Sequence, residues 1–389
     1  MRERPGSPGR NAKRRIGVFT VTGHGSLGDQ AMTEVIRDWF EQKPEIKLTF
    51  LIRRKWTPPQ LFTPYSSQRY VLTDLKPLMA AQQFWLQKSY SHLWAIGADT
   101  IDGVYDKNHV LRLLNVLSTA AEDGVSSGVF GASISQYAQE SVMQSFKQAP
   151  RVEFLARDPI SAQRFQTGSS RLARLTADLA FLLKPALLAE NAQRAKDWIK
   201  NQQGAGLRVL AVNSSGHTNA EDYPTKLSHQ ISTYRRWLED DPKRAIVFFP
   251  HDIRPQPVGD EAIVGALYEA LRQDFPERTH LLSAPFDAWD IKALLRETNG
   301  VVTGRMHAAI AAFGVGVAPL CVVYQGKFEG LMKHFEIDGL CLESDSLHRG
   351  QGLLDALVNY ETNLAGLNNH AAKRLPTVMA LAERNFEDF

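Results

Sequence analysis

The sequence predicts an α/β protein built as two Rossmann-like domains facing each other across a cleft. Three observations carry that prediction. Short apolar runs alternate with helically spaced amphipathic stretches along nearly the whole chain, the pattern of parallel strands joined by crossover helices. The glycine-rich break Gly204-Ala205-Gly206 divides this alternation into two series. Many of the strand-like runs end in turn residues accompanied by Asp, Arg or His, and ligands of open α/β sheets bind at the carboxyl ends of strands.

With 389 residues, 43% of them apolar, the chain has material for two cores. A net charge of +3, with Lys and Arg scattered over helix surfaces, is too mild for a nucleic-acid-binding face. Residues 1–15 concentrate positive charge (Arg2, Arg4, Arg10, Lys13, Arg14 and Arg15) among Pro, Gly and Ser. They read as a flexible tail that could touch acidic membrane lipid, so a peripheral membrane contact is allowed. The few apolar residues after it do not make a signal peptide, and no run approaches the roughly 20 residues that span a bilayer. Cys321 and Cys341 lie in strand-like apolar contexts and read as buried, reduced thiols of a cytoplasmic protein.

The first domain is expected over residues 16–185. Ile16–Val21 reads as a strand running into the loop Thr22–Asp29, after which Met32, Val35, Ile36, Trp39 and Phe40 mark one helix face, with Asp29 as N-cap. The loop residues Gly25 and Ser26 suit a close approach to a phosphate or sugar; the plain alternative is a tight capped turn. The glycine spacing fits neither a dinucleotide fingerprint nor a Walker loop. Lys47–Ile52 is a second strand, Thr57–Pro64 a Pro-rich loop and Leu75–Tyr90 a helix. Leu93–Ile96 is a buried strand, and the turn Gly97-Ala98-Asp99 follows, with Asp99 at the strand's carboxyl end. Val110–Ala121 (helix), Ser127–Phe130 (strand), Gln139–Gln148 (helix) and Val152–Ala156 (strand) continue the alternation. Arg157-Asp158 then precedes a helix opened by Pro159, and either serves a ligand or closes a local ion pair. Thr176–Phe181 closes the domain.

Residues 186–206 read as a connecting helix and linker, and residues 207–368 as the second domain. Leu207–Asn213 is its first strand, Lys226–Leu238 a helix, and the strand Ala245–Phe249 ends in Pro250-His251-Asp252. His251 and Asp252 either orient a sugar hydroxyl and relay a proton or make a capped turn. Gly259-Asp260-Glu261-Ala262-Ile263 echoes Gly28-Asp29-Gln30-Ala31-Met32, which reads as shared helix capping. The stretch Gly300–Gly330 stands at the centre of the reading. Val301-Val302 is a buried strand, Gly304 turns the chain, and Arg305-Met306-His307 opens an Ala-rich helix before the strand Pro319–Val323 and the loop Tyr324–Lys327. A guanidinium and an imidazole beside the N–H groups of a helix start are placed to hold an anion; the plain alternative is a solvated or ion-paired Arg and a structural His. Leu353–Leu367 and Ala371–Phe386 read as two terminal helices, the last, within residues 369–389, returning to the first domain. No Cys cluster, H-E-x-x-H, Asp-x-Asp or G-x-S-x-G occurs, so neither a metal centre nor a nucleophile elbow is expected.

Several segments occur in one order: Gly23-His24-Gly25-Ser26-Leu27-Gly28-Asp29-Gln30-Ala31, Ala156-Arg157-Asp158-Pro159-Ile160-Ser161, Asp178, Pro250-His251-Asp252, Gly304-Arg305-Met306-His307-Ala308 and Tyr324-Gln325-Gly326-Lys327. Together they resemble the polysaccharide pyruvyl transferase family over about residues 16–385. The resemblance implies a GT-B-like fold and transfer of the enolpyruvyl group of phosphoenolpyruvate to a sugar of a cell-surface glycan, as a pyruvate ketal, without a metal or other cofactor. It implies donor binding by Arg157, Arg305, Met306, His307 and Lys327, with His307 and Arg305 catalytic. Gly25, Ser26, Asp29, Asp99, His251 and Asp252 are the candidates on the acceptor side. The acceptor is a free or lipid-linked glycan, which puts the protein in the cytoplasm or at the inner face of the membrane. The family often has a glycine triplet where this chain has Gly97-Ala98-Asp99, a departure that bears on the acceptor. Two rival readings stay open: a metal-independent GT-B glycosyltransferase using a nucleotide sugar, and a non-catalytic sugar-phosphate-binding protein.

Overall fold

The structure is a computed structural model and describes residues 14–21, 25–53, 69–73, 89–216, 222–255, 258–323, 328–348 and 350–389. The tail through Lys13, Thr22–His24, the Pro-rich loop, most of the expected helix Leu75–Tyr90, and Tyr324–Lys327 lie outside the described residues.

The first sheet comprises β1 (Arg14–Phe19), β2 (Ile46–Arg53), β3 (Arg69–Thr73), β4 (His92–Ala98), β5 (Ser126–Ala132), β6 (Val152–Ala156) and β7 (Arg174–Leu175). Its helices are α1 (Leu27–Glu41), α2 (Lys107–Glu122), α3 (Glu140–Gln148) and α4 (Pro159–Ser169), followed by a single-turn 3-10 helix, Leu179–Leu182. The second half runs α5 (Glu190–Gly204), β8 (Arg208–Val212), α6 (Tyr223–Asp240), β9 (Arg244–Phe248), α7 (Glu261–Leu271), β10 (Thr279–Leu281) and α8 (Ala288–Arg296). It continues with β11 (Gly300–Thr303), α9 (Met306–Phe313), β12 (Pro319–Val323), α10 (Glu329–Phe335), β13 (Cys341–Glu343) and α11 (Gly350–Glu383).

Strand order is β3-β2-β1-β4-β5-β6-β7 in one sheet and β10-β9-β8-β11-β12-β13 in the other. Every strand pairing is parallel. Helices cover both faces of such a sheet, so its strands are apolar throughout rather than alternating; Arg244–Phe248 and Gly300–Thr303 are buried at every position. Chain order reverses between β1 and β4 in one sheet and between β8 and β11 in the other. A crevice opens at the carboxyl end of the sheet at such a reversal, and there ligands bind.

Some local expectations need correction. Arg14 and Arg15 belong to β1 rather than to the tail, and β3 was not foreseen. Cys321 is buried, but its register partner Cys341, on the edge strand β13, is exposed. The two expected terminal helices are one, α11, with Pro376 inside it. Asn368, read as part of a break, instead donates to the Asn299 carbonyl at 3.0 Å and accepts from the Ala318 N–H at 2.9 Å, so tertiary bonds hold it in the helix. Ala98 adopts a φ of +46°, a region that costs a non-glycine residue about 1–2 kcal/mol. Gly97 before it is required by packing, because a Cβ would lie 2.5 Å from that of Ala132.

The chain end returns to the first half. Phe386 stacks on Trp39 with ring centroids 4.4 Å apart, and Phe389 packs against Trp94 at 5.2 Å and Phe130 at 5.6 Å. Buried Asn385 accepts from the Gly131 N–H at 3.1 Å and donates to the Ala177 carbonyl at 2.9 Å. Phe386→Ala should therefore cost about 3–5 kcal/mol of stability, read as a lower denaturant midpoint. An unchanged midpoint would show that this end contributes nothing to the core.

Candidate active site between the domains

A cleft of about 420 Å³ opens between the carboxyl ends of the two sheets, at both order reversals. One wall carries Thr20 and Val21 after β1 and Asp99 after β4; the other carries Asp252 and Arg254 after β9 and Arg305–His307 after β11. The loop at the base is a shared seam. Ser26 pairs with Asp252 in an isolated antiparallel bridge, and the Gly25 carbonyl accepts from the Ile253 N–H at 2.8 Å. Gly25 has a φ of +100°, and a Cβ there would lie 2.8 Å from the Arg254 side chain. Asp29 is not the N-cap of α1: Ser26 occupies that position, and Asp29 lies in the first turn and faces the cleft.

Arg305 is the N-cap of α9, fixed by its N–H on Thr303 Oγ1 at 2.9 Å. Its Nε and Nη2 donate to Asp260 Oδ1 at 2.9 and 2.7 Å, Nη2 also reaches the Val258 carbonyl, and Nη1 lies 3.3 Å from Asp252 Oδ2. Asp260, fully buried, occupies the N-cap position of α7, but its side chain makes no capping bond. It gathers Arg305, Asn213 Nδ2 at 2.9 Å, and the N–H groups of His251 and Asp252, each at 3.1 Å. Asp252 holds Arg254 in turn, at 2.5 Å from Nη2, so its carboxylate is engaged with two guanidinium groups. Burial first, then the charges of His307 and Arg305, push the His251 pKa well below 6.5, so its imidazole is neutral at neutral pH.

Arg157, 2% exposed, extends from β6. Its Nε donates to Ser133 Oγ, Nη1 to Asp178 Oδ2 at 2.9 Å, and Nη2 to the sulfur of Met306 at 3.2 Å. The local Arg157–Asp158 pair is absent; Asp158 caps α4, accepting from the N–H and the hydroxyl of Ser161, each at 2.7 Å. Asp178 also faces His307, whose Nε2 is 3.5 Å from Asp178 Oδ2. Burial pushes the Asp178 carboxyl up, but the charge and hydrogen bond of His307, then Arg157 and the Ala180 N–H, hold it well below the usual carboxylate range. Asp178 thus stays ionised and stands between Arg157 of the first domain and His307 of the second.

Asp178, quoted only among the segments that carry the resemblance, Asp260, read only as a cap, and Arg254 are functional candidates to which sequence reasoning gave no functional role. Arg254 stood two residues beyond His251-Asp252, the one local signal that could have found it. Tyr105 and His109 also line the cleft and were missed. Lys327 lies outside the described residues. Among the described residues no group of three or more His, Cys, Asp or Glu side chains is arranged to hold a metal ion, and no helix is long and apolar enough to cross a membrane.

The sequence pattern of the polysaccharide pyruvyl transferases matches residues 27–326, more than three quarters of the chain. The chain belongs to that family. A comparison with curated proteins finds no match. Among solved structures, the UDP-GlcNAc 2-epimerase from Neisseria meningitidis bound to UDP-GlcNAc is similar, with a TM-score of 0.58 and 11% identity over 95% of this chain and 100% of that one. A glycosyltransferase from Rickettsia africae gives a TM-score of 0.58 at 8% identity, covering 97% of this chain and 100% of its own. Another UDP-N-acetylglucosamine 2-epimerase gives 0.60 at 11% identity, over 96% and 94% of the two chains. At such identities the likeness concerns the fold, which is that of the GT-B enzymes.

For this pyruvyl transferase, Gly28 is the residue whose smallness matters most. A Cβ there would lie 2.2 Å from both Cγ and Nδ1 of the His307 ring. Gly28→Ala places a helix-favouring residue inside α1, so helix formation itself does not suffer. It should nevertheless push the imidazole aside and lower turnover about 100-fold, as small misplacements of reacting groups do. Wild-type turnover in that variant would show that the ring does not need its place against α1.

Proposed function

We propose that the cleft binds phosphoenolpyruvate and transfers its enolpyruvyl group to two hydroxyls of one sugar in a cell-surface polysaccharide, releasing phosphate. The observation that carries this reading is the Asp178–His307 pair, 3.5 Å apart, formed between residues of the two domains beside Arg157 and Arg305. A small donor with a carboxylate and a phosphate needs forked N–H donors, and Arg157, Arg254 and Arg305 line the cleft, each also bound to a carboxylate of the protein. In this reading the contacts come from side chains, without a metal.

His307 is the general acid. Its Nε2 lies 3.5 Å from Oδ2 of the ionised Asp178, as in other carboxylate–histidine pairs, which orients the ring. The ring nitrogen that remains to exchange a proton is Nδ1. Delivered to the methylene carbon, that proton makes a methyl group and leaves an oxocarbenium-like centre at the adjacent carbon. One sugar hydroxyl attacks this centre; the bond to the phosphate oxygen breaks as the second hydroxyl closes the ketal. Of the two hydroxyl protons, one balances that given to carbon and one leaves with phosphate. Neutral His251, beside Asp252 and Arg254, is placed to accept a hydroxyl proton. The carboxylates Asp29 and Asp99 on the opposite wall face the space left for the acceptor.

The test is acceptor-dependent phosphate release from phosphoenolpyruvate, followed by mass spectrometry of the glycan. Release with a ketal-sized mass gain supports the reading. Stabilisation by UDP- or GDP-sugars with no phosphate release would replace it with glycosyl transfer.

A further inference from the structure

We propose that Lys292 is a positioning residue of the site: reaching out of the second domain, it clamps the turn that carries Asp178 and so sets the Asp178–His307 distance. Lys292 lies on α8 and is 1% exposed. Its Nζ donates to the carbonyls of Ala180 at 3.0 Å and Phe181 at 2.8 Å, both in the 3-10 helix Leu179–Leu182 of the first half. Asp178 is the N-cap of that turn, and its Oδ1 accepts from the Ala180 N–H at 2.9 Å. The lysine therefore grips the carbonyl of the same residue, Ala180, whose N–H holds the carboxylate.

The other side of the ammonium rests on the helix that carries the histidine. A Cβ at Gly314, the C-cap of α9, would lie 2.9 Å from both Cε and Nζ of Lys292. His307 stands at the opposite end of that helix, only two turns away. The lysine thus occupies the one small space between the Asp178 turn and the His307 helix. Placing an ammonium there costs several kcal/mol of desolvation, which a methionine of similar length would not incur. Burial pushes its pKa down to about 7, the charge of Asp178 opposing that fall. What the lysine supplies, and methionine lacks, is two directional bonds across the domain boundary, to the carbonyls of Ala180 and Phe181 just after Asp178.

A second latch on α8 provides the control. Gln30 donates to Asp287 Oδ1 at 2.8 Å and accepts from the Ala288 N–H at 3.1 Å, joining the domains by hydrogen bonds that do not involve the Asp178 turn. The inference rests on the proposed function for its activity readout only. Lys292→Met and Gln30→Ala are compared by hydrogen–deuterium exchange of the peptides 178–183 and 306–313, and by kcat and KM with phosphoenolpyruvate. Lys292→Met should speed exchange in both peptides and lower kcat about 100-fold with KM near wild type, while Gln30→Ala leaves both peptides protected. Unchanged exchange in Lys292→Met, or the same change in Gln30→Ala, overturns the inference. Should Lys292→Met not fold, Lys292→Gln, which keeps a donor for one carbonyl, should show intermediate exchange; full wild-type protection there also overturns it. A wild-type protein that leaves phosphoenolpyruvate untouched removes the functional reading, whereas the exchange comparison still decides the role of Lys292.

Discussion

His307→Ala should abolish ketal formation while leaving phosphoenolpyruvate binding measurable. Among the groups that hold the arginines, the imidazole faces Asp178. Arg305 remains fixed by Asp260, Asp252 and the Val258 carbonyl, and Arg157 by Ser133, Asp178 and Met306. The arginines proposed to grip the donor therefore keep their places after the substitution. What disappears in the proposed mechanism is the proton donor, and general acid catalysis contributes about 10²–10⁴-fold. Calorimetry should give a dissociation constant for phosphoenolpyruvate close to wild type, and single-turnover mass spectrometry should show a loss in that range. Near-normal product formation would assign the acid to another group.

Asp178→Asn should do more damage, because it strikes both domains at once. The carboxylate is ionised and buried between Arg157 and His307; an amide leaves a guanidinium that is 2% exposed without its counter-charge. Removing one partner of a buried ion pair costs about 3–5 kcal/mol. The imidazole also loses the acceptor that orients it, so turnover should fall at least as far as in His307→Ala. The stability loss carries a pH signature. A carboxyl whose folded pKa is depressed stabilises the fold above its ordinary value of 3.8, and that contribution fades as pH falls below it. Wild type and Asp178→Asn should thus differ by a constant margin at neutral pH and converge in acid. A margin that is absent at pH 7 would mean that Arg157 finds its counter-charge elsewhere.

Much of the architecture could be read from the chain. Continuous apolar runs such as Val301-Val302 and Ala245–Phe249, separated by amphipathic stretches, have few solutions other than parallel strands with crossover helices. The helix start at Arg305-Met306-His307 was legible too, because a glycine turn after a buried apolar run precedes an Ala-rich stretch. The partners of those residues were not legible. Asp29 and Asp260 follow glycine in near-identical contexts, yet Asp29 faces the cleft and Asp260 is buried under Arg305. Only the approach of β9 and β11 distinguishes them. Arg157 had a carboxylate beside it in the sequence and used one 21 positions away, because Asp158 was already committed to capping α4. Lys292 looked like any surface lysine on an amphipathic helix; its burial depends on a domain contact that no local pattern records.

The proton transfer can be followed directly by running the reaction in D₂O with purified protein, phosphoenolpyruvate and the glycan acceptor, and weighing the ketal formed. If His307, exchanged with solvent, protonates the methylene carbon, the new methyl group carries one deuterium in wild type, and His307→Ala forms almost no labelled product. A ketal with no deuterium in its methyl group, or labelled ketal appearing at wild-type rate in His307→Ala, would contradict proton delivery from the imidazole held by Asp178.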